Sequence, residues 1–227
     1  MIAPEKAASV VALVPMRHHS VRVPGKNYRP LAGRPLYHHI VRTLLDCPSV
    51  SRIVIDTDSP FILEDCARQF PSVTLLNRPA HLRADTVPMT EVLCHDASQI
   101  VAPVYLQTHS TNPFLRADTI ERALAFWREH RRFHDSLFSV TRVRARLWDQ
   151  TARPINHNPW ILLRTQDLPA VYLENSNFYL FTAELLHQSR RRIGDRPAMF
   201  DVDPVEATDI DDEAGFTLAE AIATTRL

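Results

Sequence analysis

"VVALVPMRHHSVRVPGKN", residues 10–27, passes from an apolar run straight into a loop that carries Arg17, Arg22 and Lys26, with Ser20 and Asn27 among them. Residues 10–14 are continuously apolar instead of alternating, which reads as a strand buried on both faces. Working outward, the same unit recurs. PLYHHIVRTLLD (35–46) puts Leu36, Ile40 and Leu44 on one helical face, and RIVIDT (52–57) is a second strand. Ser59 then caps a helix with Pro60 in its first turn. VTLLN (73–77), PVYLQT (103–108) and SLFSVT (136–141) are further strands, separated by helices over 87–100 and 116–130. Short apolar strands alternating with helices predict an α/β fold, a mainly parallel sheet covered on both faces. Between 142 and 170 the alternation breaks, with three prolines, two tryptophans and five arginines in no steady period, which predicts an excursion from the sheet. This stretch reads either as a dimerisation arm or as a loop packed on its own domain. Residues 171–182 and 198–212 return to strand-like patterning, and 213–225 close as a helix.

A length of 227 residues with 45% apolar content fits a single domain over 1–227. Lys+Arg and Asp+Glu stand at 26 each, so no global field draws the chain to nucleic acid or to anionic lipid. Cys47, Cys66 and Cys94 are scattered without a CxxC pair, the pattern of buried thiols in a reducing compartment. The first residues lack the apolar core of an export signal, and no segment is long and apolar enough to span a membrane, so a cytoplasmic protein is expected. Histidines 18/19 and 38/39 are adjacent pairs that cannot face one way. His130 and His134 have helical spacing but lie in a polar stretch, where a solvated helix end outweighs a metal site.

In open parallel sheets ligands bind beyond the carboxyl ends of the strands. The residues there are Arg17, Ser20, Arg22, Lys26 and Asn27 after the first strand, and Asp56 and Asp58 after the second. Asn77, Arg78 and Arg83 follow the third, and Gln107, Thr108, His109, Ser110 and Thr111 the fourth. Cations with hydroxyls and amides suit a polyphosphate and a polyhydroxylated partner; a solvated rim is the plainer alternative. With only four glycines, the chain has neither G-x-G-x-x-G nor a P-loop, which argues against NAD binding and Walker-type chemistry. Asp209 and Asp211, at i and i+2 in "ATDIDDEAG", would face one way on an extended backbone and hold a hard divalent ion. Alternatively, Asp211 or Asp212 caps the last helix, which leaves Asp209 unexplained.

The ordered blocks "PMRHHSVRVPGKN", "YRPLAGRPL", "VIDTDSP", "NRPAHLRADT", "LQTHSTNPFLR", "RTQDLPAVYLENSNFYLF" and "DIDDEAGF" resemble the CMP-sugar synthetases, the acylneuraminate and Kdo cytidylyltransferase family, over nearly the whole chain. The acylneuraminate branch is the nearer. The resemblance implies a Rossmann-like nucleotidyltransferase three-layer sandwich, and a homodimer that exchanges the 142–170 arm. The implied reaction takes CTP and an acidic 2-keto sugar to a CMP-sugar and pyrophosphate. By the same resemblance Arg17, Ser20, Arg22, Lys26 and Asn27 hold the nucleotide with Arg78 or Arg83, and Asp209 and Asp211 bind Mg²⁺. Gln107 reaches the sugar, Tyr179 or Phe178 lines its pocket, and Arg164 enters the neighbouring subunit's site. Arg17, Lys26 and Asp211 are the implied catalytic set, and the general base is left open among Asp211, a water on the metal and the substrate.

Two departures stand out. His18-His19 replace a glycine pair, and Val21 replaces a lysine, with Arg22 one position on. The "THSTNPFLR" segment is also longer than its counterpart, which bears on the acceptor. The competing expectations are a Kdo-type or phosphonate acceptor, a lapsed relative that only binds nucleotide, and a glycosyltransferase using a ready-made nucleotide sugar.

Overall fold

The structure, a computed structural model, describes residues 9–226; the first eight residues, on which the expectation about an export signal rests, lie outside it. A seven-stranded sheet runs in the order β5-β4-β1-β6-β8-β7-β9. Its strands are β1 (Val10–Met16), β4 (Val50–Thr57), β5 (Thr74–Asn77), β6 (Val104–Thr108), β7 (Ser136–Val143), β8 (Val171–Thr182) and β9 (Pro197–Asp201). A small hairpin, β2 (Pro30–Leu31) with β3 (Arg34–Pro35), lies apart. β1 pairs in parallel with both β4 and β6, β4 with β5, and β7 with β9; β8 alone is antiparallel, between β6 and β7.

The helices are α1 (Leu36–Leu45), α2 (Pro60–Gln69), α3 (Met89–Gln99), α4 (Ala117–His130), α5 (Ala183–Ser189) and α6 (Glu213–Arg226). All seven residues of β1 are buried, because the pleat sends Val10, Ala12, Val14 and Met16 to one face and Val11 and Leu13 to the other. On the first face they meet Tyr37, Ile40 and Leu44 of α1, Ile62 and Cys66 of α2, and Ile120, Leu124 and Trp127 of α4. On the second they meet Leu93 and Ala97 of α3 and Leu186 of α5. This is a three-layer α/β sandwich of the Rossmann-like nucleotidyltransferase type with a mainly parallel sheet. Ser59 caps α2 as expected, accepting from the Ile62 amide at 3.4 Å, with Pro60 next to it.

A third apolar cluster matters for the site. Phe216, Ala219 and Ala223 of α6, with Ile210, pack on Val23, Leu31 and Leu36. The C-terminal segment is thereby pressed against the first loop. The 205–211 stretch is not a strand, contrary to expectation, because side-chain bonds and a single backbone bond to Thr111 hold it in place of a ladder. Asn177 donates to the Glu206 carbonyl (2.8 Å), Asn112 to Asn177 (3.0 Å), and the Ile210 amide to the Thr111 carbonyl (3.0 Å).

Residues 144–170 form the excursion, with Trp160 (91% exposed) and Leu162 (87%) among its apolar residues. The three cysteines are free thiols, two of them fully buried. Among the described residues no helix is long and apolar enough to cross a membrane.

Candidate active site

A cleft of about 340 Å³ opens at the carboxyl end of β1 and is walled by the first loop, the segment after β6, and Arg78, Asp85 and Met89. One glycine shapes the loop. Gly25 sits at φ +66°, where a Cβ would come within 2.8 Å of the Tyr28 ring, and it starts the turn that presents Lys26. Asn27 ties the loop down, donating to the Arg17 carbonyl and accepting from Ser110 Oγ, each at 2.7 Å. His18, in place of a glycine, braces the rear: its amide donates to Asp58 (2.7 Å), its Nδ1 meets Ser59 Oγ (2.8 Å), and its ring stacks on Tyr28.

The cations of this loop converge with the distant acidic pair. Arg22 pairs with Asp211 at 2.8 Å, and Lys26 donates to the Ile210 carbonyl at 2.7 Å with Asp211 at 3.9 Å. Burial lowers the Lys26 ammonium's pKa, and Arg22 and Arg17 add to this while Asp211 and Asp209 oppose it. Arg17 lines the same cleft and pairs with Asp85. Burial raises the Asp209 carboxyl, Asp211 adds to this, and a hydrogen bond with Thr111 opposes it. Its Oδ1 is buried without a partner. A desolvated carboxylate with an orphaned oxygen beside a second carboxylate is a donor set that fits a hard divalent cation. The helix cap is supplied by Asp212, which accepts from the Gly215 amide at 2.8 Å, so capping does not occupy Asp211.

Several expected residues sit differently. Arg78 touches the cleft, but its guanidinium is committed to Asp56, and both are wholly buried. Behind Asp56 lies Asp96 of α3, whose two oxygens are also without partners. Burial and Asp56 push its carboxyl up to about 9, so Asp96 keeps its proton at neutral pH and can donate it to Asp56. Arg83 stands outside the cleft lining, donating to the Arg78 carbonyl at 2.9 Å. Phe178 lies in the core: the β8 register turns it toward Leu106 and Phe200, and its neighbour Tyr179 takes the opposite face. Arg164 is outside the cleft of its own subunit, paired with Asp167 at 2.7 Å.

Gln107 and Tyr179 are cross-strand partners, and between them they hold Arg192, a residue that the sequence reading passed over. Its guanidinium lies 3.6 Å above the Tyr179 ring and donates to Gln107 Oε1 at 2.6 Å. Gln107 Nε2 meets His109 Nε2 at 2.8 Å. Burial, with Arg192 and Lys26 beside it, pushes the His109 imidazole down to about 4, so it is neutral at working pH. In "SRRRIGDRP" Arg192 is one of three consecutive arginines in polar sequence, with no local signal to single it out.

Fold and cleft together define a nucleotide-handling α/β protein of the nucleotidyltransferase type. The family model described as "Cytidylyltransferase" matches residues 11–214, and the chain belongs to that family. It is 25% identical to N-acylneuraminate cytidylyltransferase A of Danio rerio over 95% of this chain and 51% of that protein. It is also 25% identical to 3-deoxy-manno-octulosonate cytidylyltransferase of Escherichia coli, over 54% of this chain and 47% of that protein. The chain spans about half the length of the curated relatives it matches. Among solved structures, a CMP:2-keto-3-deoxy-manno-octonic acid synthetase complexed with CTP superposes with a TM-score of 0.72 at 16% identity, covering 97% of this chain and 100% of that one. The 4-diphosphocytidyl-2C-methyl-D-erythritol synthase of Anaerococcus prevotii gives 0.66 at 10% identity, covering 96% and 97%. At these identities the likeness is one of fold.

Proposed function

We propose that the chain transfers a cytidylyl group from CTP to an acidic 2-keto sugar, releasing pyrophosphate. The observation that carries this reading is the pairing of Arg22 and Lys26, which line the cleft with Arg17, to Asp211, with the buried, orphaned Asp209 close by. Arg17, Ser20, Arg22, Lys26 and Asn27 bind the triphosphate from side chains, which replaces the glycine cradle the loop lacks. Val21 leaves one cation fewer, and Arg22, already on the cleft wall, takes that part. Asp209 and Asp211 would hold Mg²⁺, whose charge would offset that of the phosphate oxygens. The sugar's anomeric oxygen attacks the α-phosphorus, the bond to the bridging oxygen breaks, and pyrophosphate leaves in line. Lys26 and Arg17 stabilise charge on the non-bridging and leaving oxygens. Burial, with Arg192 and Lys26, lowers the His109 imidazole to about 4, which makes it a weak proton acceptor. The proton of the anomeric hydroxyl passes to water or to a substrate oxygen.

The 144–170 arm is, in the same reading, the surface on which a second copy docks, supported by its exposed Trp160, Ile161 and Leu162. Light scattering of Trp160→Asp with Leu162→Asp would then give a monomer; an unchanged dimer would place the interface elsewhere.

The test of activity is pyrophosphate release from CTP with a panel of acids: N-acetylneuraminate, 3-deoxy-manno-octulosonate and a phosphonate. Mg²⁺-dependent release with at least one 2-keto sugar supports the reading and identifies the acceptor. CTP binding without product across the panel would make this a nucleotide-binding relative. Turnover confined to a ready-made nucleotide sugar would make it a glycosyltransferase.

A further inference from the structure

Arg192 enters the site from the loop between α5 and β9 and is largely enclosed, with 23% of its side chain exposed. A buried guanidinium normally has a carboxylate in contact, as Arg78 has Asp56. Arg192 does not. The nearest carboxylate, Glu174, stands 4.0 Å away and is itself engaged by the Tyr179 hydroxyl. The contacts it does make are neutral: the Tyr179 ring beneath its plane and Gln107 Oε1 at one nitrogen. Those contacts fix the plane of the guanidinium. Gln107 is fixed in turn, with its oxygen toward Arg192 and its amide nitrogen toward His109, and His109 lines the nucleotide cleft. A held cation whose one ion pair is a long one therefore stands behind two neutral side chains, Gln107 and His109, the second of which lines the cleft.

We propose that Arg192 is the specificity-determining cation of the acceptor site, receiving the carboxylate of the 2-keto sugar and so turning its anomeric hydroxyl toward the nucleotide. The assignment rests on the cytidylyl-transfer reading above. A planar fork matches a carboxylate in two parallel hydrogen bonds, which a lysine ammonium does not reproduce. In a 2-keto acid the carboxylate is bonded to the anomeric carbon, so gripping one orients the other. Stacking on Tyr179 and the bond to Gln107 hold the fork ready before the sugar arrives.

The experiment measures pyrophosphate release by wild type, Arg192→Gln and Arg192→Lys, using the acids that wild type accepts and their C1 carboxamides. Arg192→Gln is expected to raise the acceptor KM roughly 10- to 100-fold, the loss of a charge-assisted pair, while the CTP KM stays within about twofold. Arg192→Lys is expected to recover only part of this. The carboxamides are expected to react poorly, and equally, with wild type and Arg192→Gln. An unchanged acceptor KM in Arg192→Gln, or equal losses for acid and carboxamide, overturns the role of Arg192 while leaving cytidylyl transfer standing. No release by wild type with any acid overturns the transfer reading, and this assignment with it.

Discussion

Replacing Asp96 by asparagine is expected to flatten the dependence of stability on pH. Asp96 is 1% exposed and faces the wholly buried Asp56, whose carboxylate takes the guanidinium of Arg78. Two carboxylates against one cation leave an excess negative charge in a dry site, which is neutralised when Asp96 carries a proton. Its pKa rises from 3.8 to about 9, by burial first and Asp56 second, with Arg78 opposing. In the unfolded chain the same group ionises near its ordinary value. The stability from the retained proton is therefore complete below about pH 4 and is lost as pH rises toward about 9. Wherever the folded chain holds this one proton and the unfolded chain does not, the slope is about 1.4 kcal/mol per pH unit. The carboxamide of Asp96→Asn keeps the shape, offers Asp56 an N–H and has no proton to lose. Urea unfolding of both proteins at pH 6, 7 and 8 isolates the effect of the pair, since the two proteins differ in this one titratable group. Equal slopes would refute the shared-proton account. A rise in wild-type stability with added Zn²⁺, absent from the variant, would also refute it, by showing that a cation fills the space among Asp56, His95 and Asp96.

Gly25→Ala forces an L-residue to φ +66° against Tyr28; a loss of about 1–2 kcal/mol by thermal unfolding and weaker CTP binding are expected, and unchanged values would contradict the turn's role. Val21 is 82% exposed on the cleft wall, so Val21→Lys adds a cation to the phosphate site; the CTP KM is expected to fall about 2- to 5-fold at low salt and to return toward wild type at high salt. Asp211→Asn is expected to reduce turnover on the order of 100-fold or more, with little change in melting temperature because the side chain is about half exposed. Wild-type turnover in this variant, or turnover that persists in EDTA, would remove the metal role.

Much of the fold is legible locally. The continuous apolar run of β1, the Ser59-Pro60 helix start and the aperiodic 142–170 stretch each carry their own signal. The position of β8 does not, because insertion between β6 and β7 is a non-local pairing that β8's own residues do not announce. The same limit governs the site. Lys26 and Asp211 are chemically conspicuous in sequence, but their meeting depends on α6 packing against Val23 and Leu31. Arg78 looks like a free loop cation until Asp56 is seen beneath it, and Arg192 looks like surface until Gln107 and Tyr179 close around it. Phe178 and Tyr179 are adjacent aromatics whose opposite fates follow from strand register alone.

The most direct measurement is a crystal structure with CTP and Mg²⁺ bound. The account predicts the triphosphate against Arg17, Arg22 and Lys26, with the ion between its oxygens and the carboxylates of Asp209 and Asp211. Density for the nucleotide elsewhere, or for an ion remote from both aspartates, would contradict it.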